Sequence, residues 1–384
     1  MFKPMPHHHQ KTAPERISTP KPDSGVAAHR SGSIWPFLLL LGLVLVAAIV
    51  VSTGMGYIQI GWQAVLRVIF AKIFFAGGLI DGIDPLIPAV VWEVRLPRIL
   101  TAALVGGGLA VSGVVFQGIL INPLADPYTL GVSAGAAFGA ALALLLGVTL
   151  LGIYTLPLFA FAGAVATLLA VLALASGGAK TGGTKTGRIS GDTYSANHLI
   201  LAGIIVAAIL SAGISFLKFV ADEQVGVIIF WLMGSFAAKT WVEVGLTAGF
   251  VTIGVVVSLF YSRDLNLLAL GARTAASLGV DLRRTPMILL VAASLLAAAC
   301  VSVAGIIGFV GLLIPHLMRT LAGPDNRHLL PASLLAGALL LLLADTLTRA
   351  VLPREIPIGV LTALLGGPFF CYIFRRRQQR GREF

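Results

Sequence analysis

RDLNLLALGARTAASLGVDLRR, residues Arg263 to Arg284, separates two apolar runs at roughly 241–262 and 285–304, so the chain here crosses a membrane, reverses and returns. Within the stretch Leu267, Leu268, Leu270, Ala272, Ala275, Ala276 and Leu278 recur at roughly helical spacing. Gly271 and Gly279 interrupt them, which predicts two short helices joined at a glycine corner. Arg263, Arg273, Arg283 and Arg284 bracket the pattern. Two readings fit such a connector. Either its small exposed residues enter a groove on a soluble partner and transmit movement, or it is an interfacial loop with its leucines among lipid headgroups.

Composition carries the same message to the whole chain. Its 384 residues are 57% hydrophobic and 11% charged, with mean hydropathy +0.95, far too apolar for a soluble domain. At about 20 residues per crossing, ten spans are expected, near 35–56, 97–119, 129–150, 154–175, 198–219, 241–262, 285–304, 306–321, 329–350 and 356–374. The fold class is therefore an all-α, polytopic membrane protein. Residues 1–33, rich in Pro, Lys, Ser and His, read as a disordered tail; the membrane domain runs from 34 to 377, and 378–384 form a short basic tail. The stretch 57–94 is too polar to cross and, with Trp62 and Trp92, reads as an outer loop carrying an interfacial helix. Val225 to Lys239 is apolar but short and broken by Gly234, which predicts a half-helix.

With both termini in the cytoplasm, 19 of the 27 Lys and Arg fall on the inner side, while the acidic residues divide evenly. The net charge of +11 then reports orientation, not nucleic-acid binding, and 263–284 lies in the cytoplasm. Cys300 and Cys371 sit in apolar spans and indicate neither a disulfide scaffold nor a zinc site. His7 to His9 lie on the tail and form no convincing metal site. GGAKTGGTKTG, within 176–191, lacks the glycine spacing and leading strand of a phosphate loop and reads as a flexible linker. No catalytic motif appears.

Polar groups near the spans carry more information. Arg95 and Arg98 (RLPR) stand at the outer mouth of the second span, which Pro97 is expected to start, and Arg349 at the outer end of the ninth. Three readings stay open: interfacial snorkelling, an i,i+4 pair of Asp345 with Arg349, or a docking site for an acidic partner. Gln117 and Asn122 with Pro123 mark the inner end of the second span, where NPLADP makes a corner; a cap and turn is the plain account. Gly106, Gly107, Gly108, Gly113 and Gly118 inside that span predict close helix packing, with a role in lining a passage as the lesser reading. His316, late in the eighth span, reads as a hydrogen-bonded structural residue.

RLPRILTAALVGGGLAVSGVVFQGILINPLADPYTLGVSAGAAFGA, LNLLALGARTAASLGV, AGIIGFVGLLIPHLMR, LLADTLTR and IPIGVLTALLGGPFF occur in this order between about Ile34 and Arg377. Together they resemble the permease subunit of the FecCD-type (type II) ABC importers for ferric siderophores, haem and vitamin B12. The resemblance implies a ten-helix permease in a bacterial inner membrane, working as a homodimer around one passage. It implies two cytoplasmic ATPase subunits that bind the ATP, an external substrate-binding protein, and no cofactor in this chain. Leu267, Leu268, Leu270, Gly271, Ala272, Arg273, Ala275, Ala276, Leu278 and Gly279 match the family's ATPase-coupling helices, and Arg95, Arg98 and Arg349 its docking arginines. Gln117, Asn122, Pro123, Gly131 and Ser133 become candidates for the pathway or its gate. A ferric siderophore is the favoured cargo, ahead of haem and cobalamin. An ion-coupled secondary transporter would instead carry ionisable residues deep in the bundle, whereas here they cluster near span ends.

Overall fold

A computed structural model describes residues 34–56, 58–177, 196–350 and 355–380. The tail with His7 to His9, most of the Gly/Lys/Thr linker and the last four residues lie outside them. From Ile34 onward the chain forms one unit. Its helices are α1 (Trp35–Gly54), α2 (Trp62–Ile73), α3 (Leu86–Ile119), α4 (Val132–Leu145), α5 (Thr155–Gly177), α6 (Ala196–Val220), α7 (Val225–Leu232), α8 (Trp241–Phe260), α9 (Ser262–Leu268), α10 (Ala272–Ser277), α11 (Arg284–Ala304), α12 (Val310–Leu321), α13 (Asn326–Ala350) and α14 (Ile358–Arg380). Seven of these are long and apolar enough to cross a membrane, and three shorter apolar ones, α4, α12 and the Ile358–Tyr372 part of α14, complete the ten.

Helix α3 is the axle. It packs against α13, α11, α8 and α12, and nearly every residue from Leu96 to Gln117 is buried. Lipid offers no hydrophobic drive for helices to associate, so contact depends on how closely backbones approach. Glycine supplies that approach: a Cβ on Gly106 would overlap the Gly337 carbonyl of α13, one on Gly108 would lie 2.7 Å from Cys300 Sγ of α11, and one on Gly113 would overlap the Gly311 carbonyl of α12. Helices α3 and α13 run antiparallel, Arg98 meeting Asp345 at one end and Gly106 meeting Gly337 further along.

The structure departs from the expected spans in three places. The second does not begin at Pro97. Its helix starts at Leu86 and passes through a π-turn, Val90–Arg95, a wider winding that accommodates a proline without N–H and with a ring that would crowd the preceding turn. The third shrinks to 14 residues, because residues 127–130 coil into a 3-10 turn ending at Gly131. The eighth shrinks to 12, since 305–309 is unwound between Gly305 and Phe309, both at positive φ. Within 57–94 the expected interfacial helix is α2, which buries Val65, Val68 and Ala71 and exposes Trp62 and Phe70.

The half-helix reading of 225–239 also stands, as α7 followed by Gly234 at φ +76°. Non-helical backbone at membrane depth must find partners within the protein. Here three unwound segments serve one another: Ser235 N–H donates to Ala304 O (2.8 Å), Ile358 N–H to Gly234 O (3.2 Å) and Gly359 N–H to Met233 O (3.0 Å). They border an open apolar groove of about 600 Å³ lined by Met233, Ile306, Gly308, Gly359, Val360 and Leu364 among others.

Candidate functional site: an arginine cluster and a two-helix lever at opposite ends of the bundle

The last carbonyls of a helix have no partners within it and carry its partial negative charge. At the end of α1 two arginines receive them. Arg95 donates from Nη1 to Thr53 O and Gly54 O, both at 3.0 Å, and from Nη2 to Ile58 O. Arg349 donates to Met55 O at 2.6 Å and Ser52 O at 2.8 Å. Gly56 fits between the two guanidinium groups, where a Cβ would lie 2.8 Å from Arg95 and 2.9 Å from Arg349.

Arg98 completes the cluster. It forks onto Asp345, 2.9 Å from Nη2, and reaches Glu355 at 3.2 Å. The expected i,i+4 pair of Asp345 with Arg349 is therefore replaced: Asp345 serves Arg98 across the helix interface, and Arg349 turns to α1. The snorkelling account fails for Arg95, which is only 7% exposed. Trp92 and Trp241 pack at 4.7 Å at this end, and Trp241 Nε1–H donates to Trp92 O at 3.0 Å, an aromatic girdle of the kind that marks a membrane boundary.

At the opposite end α9 and α10 form the two short helices read from the sequence. Gly271 (φ +98°) and Gly279 (φ +92°) make their corners, conformations open to glycine and strained for other residues. Leu268, Ala275 and Val280 form a small core, with Leu267 and Leu282 packed on it. Leu270 and Leu278 are more than half exposed, and Gly279, Ala272, Arg273 and Ala276 are exposed around them. Two of the residues assigned to a partner surface face this core instead: Leu268, 8% exposed, and Ala275, fully buried, the latter because the corner at Gly271 restarts the helical phase and turns it inward. Asp281 closes the segment by accepting from the N–H groups of Arg283 and Arg284, each at 2.9 Å. Those donors hold its carboxyl below the usual carboxylate range.

The pathway candidates do not form one surface. Gln117 is buried, its Nε2 donating to Gly311 O and its Oε1 accepting from Arg319, so it joins α3 to α12. Asn122 accepts from Leu124 N–H (2.9 Å) in a local turn beside exposed Pro123. Gly131, at φ +74°, starts α4, and Ser133 is half-buried in its first turn. Sequence reading missed Tyr128, whose hydroxyl donates to Ile307 O at 2.8 Å and ties this corner to the unwound 305–309 segment. It also missed Asn266, which bonds to Asp325 and Asn326; a lone amide between Leu265 and Leu267 was the available signal.

Ten apolar helices among the described residues, with non-helical backbone after α7 and at 305–309 bordering a groove, define a multi-pass membrane permease of the type II ABC importer fold. A structure described as an inward-facing metal-chelate type ABC transporter superposes with a TM-score of 0.74 at 35% identity, over 89% of this chain and 99% of that one. The FecCD transport family model matches residues 44–376, and the chain belongs to that family. The ABC transporter permease protein YvrB of Bacillus subtilis is 41% identical over 88% of this chain and 93% of its own. The cobalamin import system permease protein BtuC of Halobacterium salinarum is 42% identical over 80% of this chain and 79% of its own. Further relatives are named for molybdate, Fe(3+)-citrate and hemin import or transport. These proteins are transport permeases, and this chain is a permease, not an enzyme.

Proposed function

We propose that the chain forms, as a homodimer, the passage of an ATP-driven importer for a metal chelate, with a ferric siderophore as the favoured cargo. What supports this most is the whole-length correspondence with the metal-chelate type transporter. The apolar groove between α7, 305–309 and α14 suits the wall of a passage completed by a second copy. The positive-inside distribution of Lys and Arg orients the lever to the cytoplasm, where two ATPase subunits engage it, and the arginine cluster outward, where a substrate-binding protein docks. Uptake of 55Fe-labelled ferric chelates into cells lacking and regaining this chain tests the cargo. Restored cobalamin uptake without iron uptake would move the assignment to the cobalt chelate.

Two substitutions test the ends. On the lever, Ala276→Trp fills an exposed position, since Ala275 faces the segment's own core. The bulk obstructs an ATPase groove without disturbing the bundle, and uptake is expected to fall at least about tenfold at unchanged expression, the scale of a coupling loss of one to two kcal/mol. Unchanged uptake argues against an ATPase at that surface. At the other end, three arginines face two carboxylates, and Glu355 is the exposed one. Glu355→Gln raises the positive charge offered to an acidic partner, so association of the binding protein is expected to speed up about twofold or more at low salt and to converge with wild type at high salt. Surface plasmon resonance against the complex in nanodiscs reads this, and a slower or salt-independent rate overturns the docking assignment.

A further inference from the structure

The lever and the arginine cluster lie at opposite ends of one helix. The 25 residues of α13, at about 1.5 Å each, span roughly 37 Å. Its last turns carry Asp345, bonded to Arg98 of α3, and Arg349, bonded to the end of α1. Its first turn packs on α9 and is hydrogen-bonded to it by the amide of Asn266. Asn266 Nδ2 donates to Asp325 Oδ1 at 2.7 Å, and Asn266 Oδ1 accepts from both the backbone N–H of Asn326, at 2.9 Å, and its Nδ2, at 2.7 Å. Asp325 Oδ1 is fixed in turn by the Arg327 N–H at 3.0 Å.

Both faces of the Asn266 amide are thus bound to the start of α13, and the bonds involve backbone as well as side chain. Beside it Leu265 is fully buried and fills the notch at Gly118 near the end of α3, where a Cβ would lie 2.7 Å from its Cδ1. Helix α9 is consequently seated on the ends of the two helices that pack most closely in the molecule. Leucine packing resists compression but lets surfaces slide. Three directional hydrogen bonds to one amide resist sliding.

We infer that Asn266 is a positioning residue, the joint through which displacement of the lever is passed to α13 and along it to the arginine cluster. The inference rests on the importer reading above. Without the joint, α9 would still pack under α3 through Leu265 but would slip against α13, so events at one end would no longer bias the other. Coupling of this kind is reciprocal between sites. Docking at the arginine end should then be felt at the ATPase end through the same residue.

The test uses the complex copurified from its native membrane through a tag on this chain, reconstituted in nanodiscs, with ATP hydrolysis measured with and without the binding protein. Asn266→Ala is expected to retain subunit stoichiometry and basal hydrolysis while stimulation by the binding protein falls about fivefold or more, the lower range of allosteric coupling. A merely structural role would lower the basal rate and assembly together. A second variant, Asn266→Cys with Asn326→Cys in a Cys371→Ser background, replaces the hydrogen bonds by a reversible covalent link. Oxidation is expected to restore stimulation and reduction to abolish it within one preparation, which keeps the test decisive if the alanine variant fails to accumulate. Stimulation retained in Asn266→Ala, or unaffected by the oxidation state of the pair, overturns the joint. Absence of copurified ATPase or of any stimulation in the unsubstituted complex overturns the importer reading instead.

Discussion

Replacing Gly113 by leucine is expected to prevent the folded permease from accumulating. A Cβ at this position overlaps the carbonyl oxygen of Gly311 and lies 2.6 Å from its carbonyl carbon and 2.7 Å from its Cα. These are backbone atoms at the start of α12, so no side chain can rotate aside. Forcing extra methylenes into a filled interior typically costs about 1–3 kcal/mol even where side chains yield. Here α3 and α12 must part, and α3 is also the surface for α8, α11 and α13. A loss above about 3 kcal/mol is expected, a large fraction of the net stability of most folded proteins. Gly249→Leu is the control: it lies on α8, is exposed, and has nothing within 4 Å of its added Cβ. Detergent size-exclusion profiles and thermal midpoints compare the two. A monodisperse Gly113→Leu protein with the wild-type midpoint would refute the role given to α3.

How far such contacts could be read from sequence depended on whether their cause was local. The ten apolar segments and the half-helix at 225–232 were legible because hydropathy and a glycine break are properties of a short window. Close packing along 106–113 was legible for the same reason, though not which helices would come close. The π-turn at 90–95 was not, because polar Glu93 and Arg95 masked the continuation of the helix toward Leu86. Nor was the direction of Ala275: helical spacing extrapolates a face only while the helix continues, and Gly271 resets it. The partners of the arginines lay further out of reach. Arg98 and Asp345 are 247 positions apart, Arg349 and Ser52 297 apart, and periodicity within one helix favoured the neighbour four residues away. Asn266 is the same case, an amide whose meaning depends on Asp325 and Asn326 being brought to it by the packing of α13 on α3.

The second large effect is expected at Arg98. Asp345 is only 2% exposed, and its carboxylate is held by a guanidinium that forks onto both oxygens. Removing one partner of a buried pair leaves the other charge uncompensated, at a cost of about 3–5 kcal/mol, whereas replacing both by apolar groups of similar shape is often neutral or stabilising. Arg98→Met should therefore be severely destabilising, and Arg98→Met combined with Asp345→Leu should recover most of the lost thermal midpoint. Glu355 is half-exposed, and loss of a solvated partner is worth about 1 kcal/mol or less, so Glu355→Gln should barely move the midpoint. The double variant separates two roles that the cluster combines. If its arginines only lock α1, α3 and α13 together, the refolded double variant transports normally; if the cluster also receives a binding protein, stability returns while docking and uptake do not. Thermal midpoints equal in the single and double variants would show that Arg98 and Asp345 are not energetically paired, and the account of this end of the bundle would have to be rebuilt.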